Sequence, residues 1–262
     1  MNRVTTRDGT VLRIGRDGPG TGARLLFVNA LATDLHLWDD VLTAMPLIRA
    51  LRYDLRGHGG SGGGTPYGMG TLVSDAETVL EADPGPPVVL VSLGLGGMVA
   101  QGLAVKRPDL IRALVLIGTA ARIGTADRWR SRADQVRAGG MAPLVAQMTP
   151  RWFSRDARAH PDLPRWQAAL AATAPDAYAH GCDAMAGSDF YTPTSGLRLP
   201  CLALAGAEDG VTPPDLLREV ADLIPGSSLR LLPRTGHFAP WEAPEILARH
   251  LTDFLTTLET RT

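Results

Sequence analysis

Two side chains of this sequence, Asp209 and His237, have the types and positions to do proton chemistry together. A carboxylate that orients an imidazole lets the ring take up and return a proton near neutral pH. That is the work of acyl transfer, and of proton transfer beside a carbonyl. Asp209 lies in Ala205-Gly206-Ala207-Glu208-Asp209-Gly210-Val211-Thr212-Pro213, and His237 in Arg234-Thr235-Gly236-His237-Phe238. Alone, an Asp-Gly is a turn and a Gly-His a loop. Here each follows a short apolar run, and both follow a third segment, Ser92-Leu93-Gly94-Leu95-Gly96-Gly97-Met98. A strand passing through a tight glycine-rich turn into a helix is the layout of a nucleophile elbow. The helix N-terminus there adds a partial positive charge and a free N–H. Glu208 reads as a solvated neighbour of Asp209, and His36, His160, His180 and His250 as surface or packing residues.

The elements that must position these groups are legible as apolar runs. Val11–Ile14 reads as an opening strand closed by a turn cluster over 15–22. Leu25–Val28, Val88–Val91, Leu114–Ile117, Leu202–Ala205 and Leu229–Leu232 follow as further short runs. Continuous apolar strands of this length imply a parallel sheet covered on both faces. Leu72–Ala82 and Met98–Val105 have helical spacing and the length of a crossover. The fold class is therefore α/β, a doubly wound, mostly parallel sheet. Between about 120 and 195 the strand pattern stops, and helical patches stand at Ala126–Arg137, Ala142–Phe153 and Arg165–Met185. Such an insertion makes a cap over the strands' C-terminal ends, where ligands bind in open α/β sheets. Residues 1–262 read as one domain with this cap.

Composition narrows the function classes. Of 262 residues 45% are apolar and 20% charged, and the net charge is −1. That balance fits a globular protein and carries no nucleic-acid footprint or polybasic membrane anchor. Cys182 and Cys201 form no metal or redox spacing, and the polar N-terminus lacks a signal-peptide stretch, so a cytoplasmic protein with reduced thiols is expected.

Five segments carry a resemblance over nearly the whole chain: Asn29-Ala30-Leu31-Ala32-Thr33-Asp34, Arg52–Gly59, Ala100–Ala104, Thr119–Thr125 and Ala205–Pro214. With the order elbow, acid, histidine, the chain resembles the 3-oxoadipate enol-lactonases of the α/β-hydrolase superfamily. The resemblance implies an α/β-hydrolase fold and hydrolysis of 3-oxoadipate enol-lactone to 3-oxoadipate in bacterial aromatic catabolism, without metal or organic cofactor. It also implies an oxyanion hole from the backbone N–H groups of Leu31 and Leu95, each donor worth about 3–4 kcal/mol in the transition state. His58 matches a structural turn motif. The family normally has Asn-Ser-Leu-Gly-Thr-Asp in the first segment, so Ala30 and Ala32 depart from it.

The larger departure is at the elbow. The family's Gly-Leu-Ser-Leu-Gly-Gly is here Ser92-Leu93-Gly94-Leu95-Gly96-Gly97, so Gly94 stands at the nucleophile position with no side chain to attack a carbonyl. Ser92 could serve only in a register shifted by two, which puts Leu90 where a small residue is needed. Its plainer role is a strand-end residue bonded to nearby backbone. Alternatively, His237 activates a water in the space the missing side chain leaves. In the cap, Trp129, Arg132 and Trp152, within Arg151-Trp152-Phe153, are candidate contacts for a small lactone or ester bearing a carboxylate; as lid packing and surface charge they would have no such role. Two other functions remain open: a lyase, isomerase or decarboxylase using Asp209 and His237 for proton transfer, and an inactive binding protein. The sequence does not fix an oligomeric state.

Overall fold

The structure, a computed structural model, describes residues 2–19 and 22–260. In chain order the elements are β1 (Arg3–Thr5), β2 (Val11–Asp17), β3 (Arg24–Val28), α1 (Asp39–Thr43), β4 (Arg49–Tyr53), α2 (Met69–Glu81), β5 (Val88–Leu93), α3 (Leu95–Lys106) and β6 (Ile111–Ile117). Six helices follow: α4 (Ala126–Gly139), α5 (Met141–Trp152), α6 (Arg155–Arg158), α7 (Leu163–Ala171), α8 (Pro175–Ala186) and α9 (Tyr191–Ser195). The chain then returns through β7 (Cys201–Gly206), α10 (Pro214–Leu223), β8 (Ser228–Leu232), α11 (Ala239–Glu242) and α12 (Pro244–Glu259).

The strands form one sheet in the order β1-β2-β4-β3-β5-β6-β7-β8. β1 and β2 pair antiparallel, β2 meets β4 antiparallel, and every pairing from β4 to β8 is parallel. This is the doubly wound, mostly parallel α/β sheet expected from the apolar runs. All residues of β3, β5 and β7 are buried, because helices cover both faces.

Three expectations about elements need correction, and one strand, β4, had no counterpart among them. The opening strand is β1 rather than Val11–Ile14; its Arg-Val-Thr has one half-buried residue and carries no apolar run. The turn expected over 15–22 begins later, since β2 runs to Asp17, and Gly20 and Thr21 lie outside the described residues. β4, Arg-Ala-Leu-Arg-Tyr, was hidden by its two arginines. Arg52 is nevertheless buried, its guanidinium held by Asp17, Asp39 and the Leu35 carbonyl. The helical patch over Arg165–Met185 is two helices, α7 and α8. The chain breaks at Thr173-Ala174, and Pro175 opens α8 in the first turn, where a missing N–H is harmless.

Candidate active site

The parallel register brings the ends of β5, β7 and β8 to one edge of the sheet, with β6 between β5 and β7, and the three sequence segments emerge from those ends. At the first, Gly94 joins β5 to α3 with φ 56° and ψ −118°. Positive φ is close to free for glycine and strained for other residues. Gly96 lets α3 approach β3, because a Cβ there would stand 2.4 Å from the Val28 carbonyl oxygen. Leu95 is the first residue of α3, so its N–H has no acceptor within the helix.

Asp209 follows β7. Its Oδ1 accepts the N–H groups of Val211 (2.8 Å) and Thr212 (2.9 Å), and its Oδ2 accepts the Thr212 hydroxyl (2.7 Å). The same Oδ2 meets His237 Nδ1 at 2.8 Å, and both side chains are buried. Three bonds from one short turn fix the carboxylate before the imidazole reaches it. Glu208 turns outward and accepts the N–H of Arg155 at 2.9 Å.

His237 is held by its backbone as well. Its N–H donates to the Trp152 carbonyl at 2.8 Å, and the adjacent Gly236 N–H donates to Glu242 Oε2 at 2.9 Å. Glu242 also accepts the N–H of Ser154 at 3.1 Å, so one carboxylate joins the histidine loop to the chain leaving α5. Its second oxygen is buried without a partner, and burial raises the carboxyl above the ordinary glutamate range. With Nδ1 committed to Asp209, the described residues offer no hydrogen-bond partner to Nε2. A Cβ added at Gly94 would lie 3.1 Å from that Nε2.

Leu31 completes this wall. Asn29 donates to the Tyr53 carbonyl at 2.8 Å and accepts the Trp38 indole N–H at 2.7 Å. Ala30 offers its carbonyl to the Thr33 hydroxyl at 2.8 Å. Ala32 sits at φ 69°, in the left-handed region that a Cβ disfavours. Its carbonyl accepts the hydroxyl of Thr173, in the link between α7 and α8, at 3.1 Å. The Leu31 side chain packs against Gly181 of α8 so closely that a Cβ there would come within 2.4 Å.

The helices between β6 and β7 supply the opposite wall. Leu31, Gly94, Leu95 and His237 share a cavity of about 30 Å3 with Trp129, Arg132, Trp152, Tyr178 and Phe238. That has room for water and is an order of magnitude below the roughly 300 Å3 at which ligand pockets begin. A larger cavity of about 370 Å3 is lined by Ala32, Asp34, Trp166 and Thr173, and includes neither Asp209 nor His237.

Every candidate from the sequence except Asp209, which stands behind the imidazole at Nδ1, and Ser92 lines the small cavity. The Ser92 side chain is fully buried inside β5, where its hydroxyl donates to the Val115 carbonyl at 3.1 Å. Trp129 is buried and gives its indole N–H to the Ile123 carbonyl. Arg132 lies over the Trp129 ring at 4.9 Å and meets Met148 Sδ at 3.3 Å, and no described carboxylate pairs with it. Arg151 is committed elsewhere, donating through Nε to the Gly210 carbonyl at 2.8 Å. Burial, then the nearby charges of Arg128 and Arg132, lowers its proton affinity. Sequence reasoning missed Tyr178, Thr212 and Glu242. The hydroxyl three residues after Asp209 was a visible signal for Thr212; nothing local marked the other two.

The family model described as "Alpha/beta hydrolase family" matches residues 23–250. The chain is 31% identical over 212 residues to 3-oxoadipate enol-lactonase 1 of Acinetobacter baylyi, covering 80% of each. It superposes on the crystal structure of the enol-lactonase from Burkholderia xenovorans with a TM-score of 0.92 at 30% identity, over 97% of this chain and 99% of that one. A thermophilic esterase from Thermogutta terrifontis gives a TM-score of 0.90 at 26% identity, over 98% of each chain.

Proposed function

The chain belongs to the alpha/beta hydrolase family, and from that premise we propose that it opens 3-oxoadipate enol-lactone to 3-oxoadipate, with water in place of a serine as nucleophile. One observation carries the reading: His237 Nε2 has no partner among the described residues and faces the position of the absent Gly94 side chain, while Asp209 holds Nδ1 at 2.8 Å. A water between Gly94 and Nε2 gives its proton to the imidazole as its oxygen attacks the lactone carbonyl. The tetrahedral oxyanion is received by the N–H groups of Leu31 and Leu95. Collapse breaks the bond to the enol oxygen, and the proton on His237 goes to the leaving enolate, which becomes the ketone. Asp209 stays ionised and stabilises the imidazolium between the two transfers.

The magnitudes set the expected rate. A positioned general base contributes roughly 10²–10⁴-fold and each oxyanion donor about 3–4 kcal/mol. Outright loss of the serine costs about 10⁶ in turnover in a serine protease. An enol is a good leaving group, which makes a weaker nucleophile less damaging here than at an amide. Arg132, which lines the cavity, suits the free carboxylate of the substrate, and Trp129, which stacks under Arg132, holds the guanidinium in place.

The same Asp209–His237 pair also suits proton transfer without hydrolysis, in a lyase, isomerase or decarboxylase. The test compares the native chain with His237→Ala on 3-oxoadipate enol-lactone, with the product identified. A ring-opened acid formed only when His237 is present supports hydrolysis. An isomeric product favours the proton-transfer reading. Equal turnover by the two proteins overturns both and leaves a binding protein.

A further inference from the structure

The cavity of about 370 Å3 is formed by the loop after β3, the loop after β4 and the C-terminal part of α7, and its volume is within the range of ligand pockets. Leu37, Ala169, Leu170 and Ala172 give it apolar walls, while Asp34 and Trp166 add a carboxylate and an indole. Asp34 accepts the His36 N–H through Oδ1 at 2.9 Å, and no described residue forms an ion pair with it. Arg13 is committed to Asp54 at 3.6 Å and to His36 Nε2 at 3.0 Å. His58, between the lining residues Gly57 and Gly59, is buried, and burial lowers its proton affinity, so it adds no positive charge at neutral pH. Burial foremost, and with it the charge of Asp34, raises the Asp54 carboxyl above the ordinary aspartate range. A further cation beside Asp34 would relieve both carboxylates. Two more features have the same sign. The last turn of α7 borders the cavity, and a helix carries partial negative charge at that end. Trp166 is braced on Trp241 with ring centroids 5.2 Å apart, and an indole attracts cations over its face.

We infer that this cavity binds a small primary alkylammonium ion. The ammonium donates to Asp34 Oδ2, the oxygen that no described residue meets, and the alkyl chain lies against Leu37, Leu170 and the two alanines. Carboxylate, helix terminus and indole select a cation; the apolar walls select one with a carbon chain. A bare metal ion is not served, since no described cluster of three His, Cys, Asp or Glu side chains could hold one. Asp209 and His237 do not line the cavity, and the inference does not depend on the reaction proposed above. Its walls come from both the sheet loops and the cap, so an occupant ties α7 to the loop after β3.

The experiment titrates the native protein at constant ionic strength with n-butylammonium, tetramethylammonium, n-butanol or butyrate, and follows backbone amide shifts by NMR. The n-butylammonium titration is expected to saturate, with its shifts centred on residues 32–37, 57–59 and 166–174. The uncharged n-butanol should bind about 10–100-fold more weakly, the worth of a charge-assisted hydrogen bond. Tetramethylammonium, which has no N–H to donate, should also bind more weakly than n-butylammonium, and butyrate not measurably. Asp34→Asn keeps an oxygen for the His36 N–H and should lose about 10–100-fold in n-butylammonium affinity. Ala172→Phe fills the cavity and should abolish binding with the carboxylate still in place. Melting curves report whether the variants fold; if neither does, the probe series on the native protein decides. The inference is overturned if n-butylammonium does not saturate at these residues, if n-butanol or butyrate binds as tightly, or if folded Asp34→Asn keeps full affinity. Lactone turnover enters none of these outcomes, so failure here leaves hydrolysis standing and the reverse holds equally.

Discussion

The two walls of the small cavity are built differently. On the sheet side, Gly94, Leu95, Asp209 and His237 follow β5, β7 and β8, with β6 between the first two, and backbone pairing sets their spacing. Asp209 alone is held by three bonds from its own turn. On the cap side, Trp129, Arg132, Trp152 and Tyr178 come from three helices that share no ladder with the sheet. That wall is tied down at a few points: Thr173 to Ala32, Trp152 to His237, Glu242 to Ser154, and Gly210 to Arg151. On the function proposed above, the sheet side holds the groups that would act and the cap side those that would meet the substrate, with about 30 Å3 open between them.

The sharpest way to separate the walls is to restore chemistry on the sheet side alone. Gly94→Ser supplies the missing hydroxyl at a backbone position already shaped for it. Lactone turnover should rise by about 10³-fold or more in steady-state kinetics, part of the roughly 10⁶ that a serine is worth. Equal rates would mean that the walls do not divide the labour in this way. On the cap side, Arg132→Met should raise KM for the carboxylate-bearing lactone roughly 10–100-fold, the worth of a charge-assisted bond of about 1.5–3 kcal/mol. A neutral ester measured in parallel should be unaffected.

The tethers between the walls give smaller effects. Glu242→Ala orphans the N–H groups of Gly236 and Ser154 and should cost about 2–3 kcal/mol in urea denaturation, whereas Glu242→Gln keeps an accepting oxygen. Burial raises the Glu242 carboxyl in the folded chain, so the folded state holds that proton more tightly than the unfolded one. Its contribution is therefore fully present below the ordinary glutamate range and is lost as pH rises through the raised folded value. Glu242→Gln should flatten the stability profile over that window. Thr173→Val removes one bond to the strained Ala32 and should cost about 1 kcal/mol. Amide exchange in residues 30–33 should quicken, with little change elsewhere.

Legibility followed the same division. The apolar runs and the segments around Gly94, Asp209 and His237 were visible because strand ends and tight turns leave local marks. β4 was not, since Arg49 and Arg52 break its apolar run and find their carboxylates only through the fold. Trp129, Arg132 and Trp152 could be named as cap candidates, but equally as lid packing; only the placing of α4 and α5 over the strand ends puts them beside His237. Tyr178 gave no sign at all, because the face of α8 that meets the sheet depends on the break at Thr173-Ala174.

By itself, the sequence determined a doubly wound α/β sheet and set Gly94, Asp209 and His237 in turns that follow its apolar runs. Those properties are written in short-range patterns: two- to five-residue apolar runs, turns and residue types. Tertiary structure alone decided that Nε2 of His237 faces Gly94 with no partner among the described residues, that Ser92 is spent on the Val115 carbonyl, and that Glu242 and Thr173 lace the cap to the sheet. Each of these joins segments far apart in the chain. Their meeting depends on how parallel strands order themselves and how helices settle on them, which no local pattern encodes.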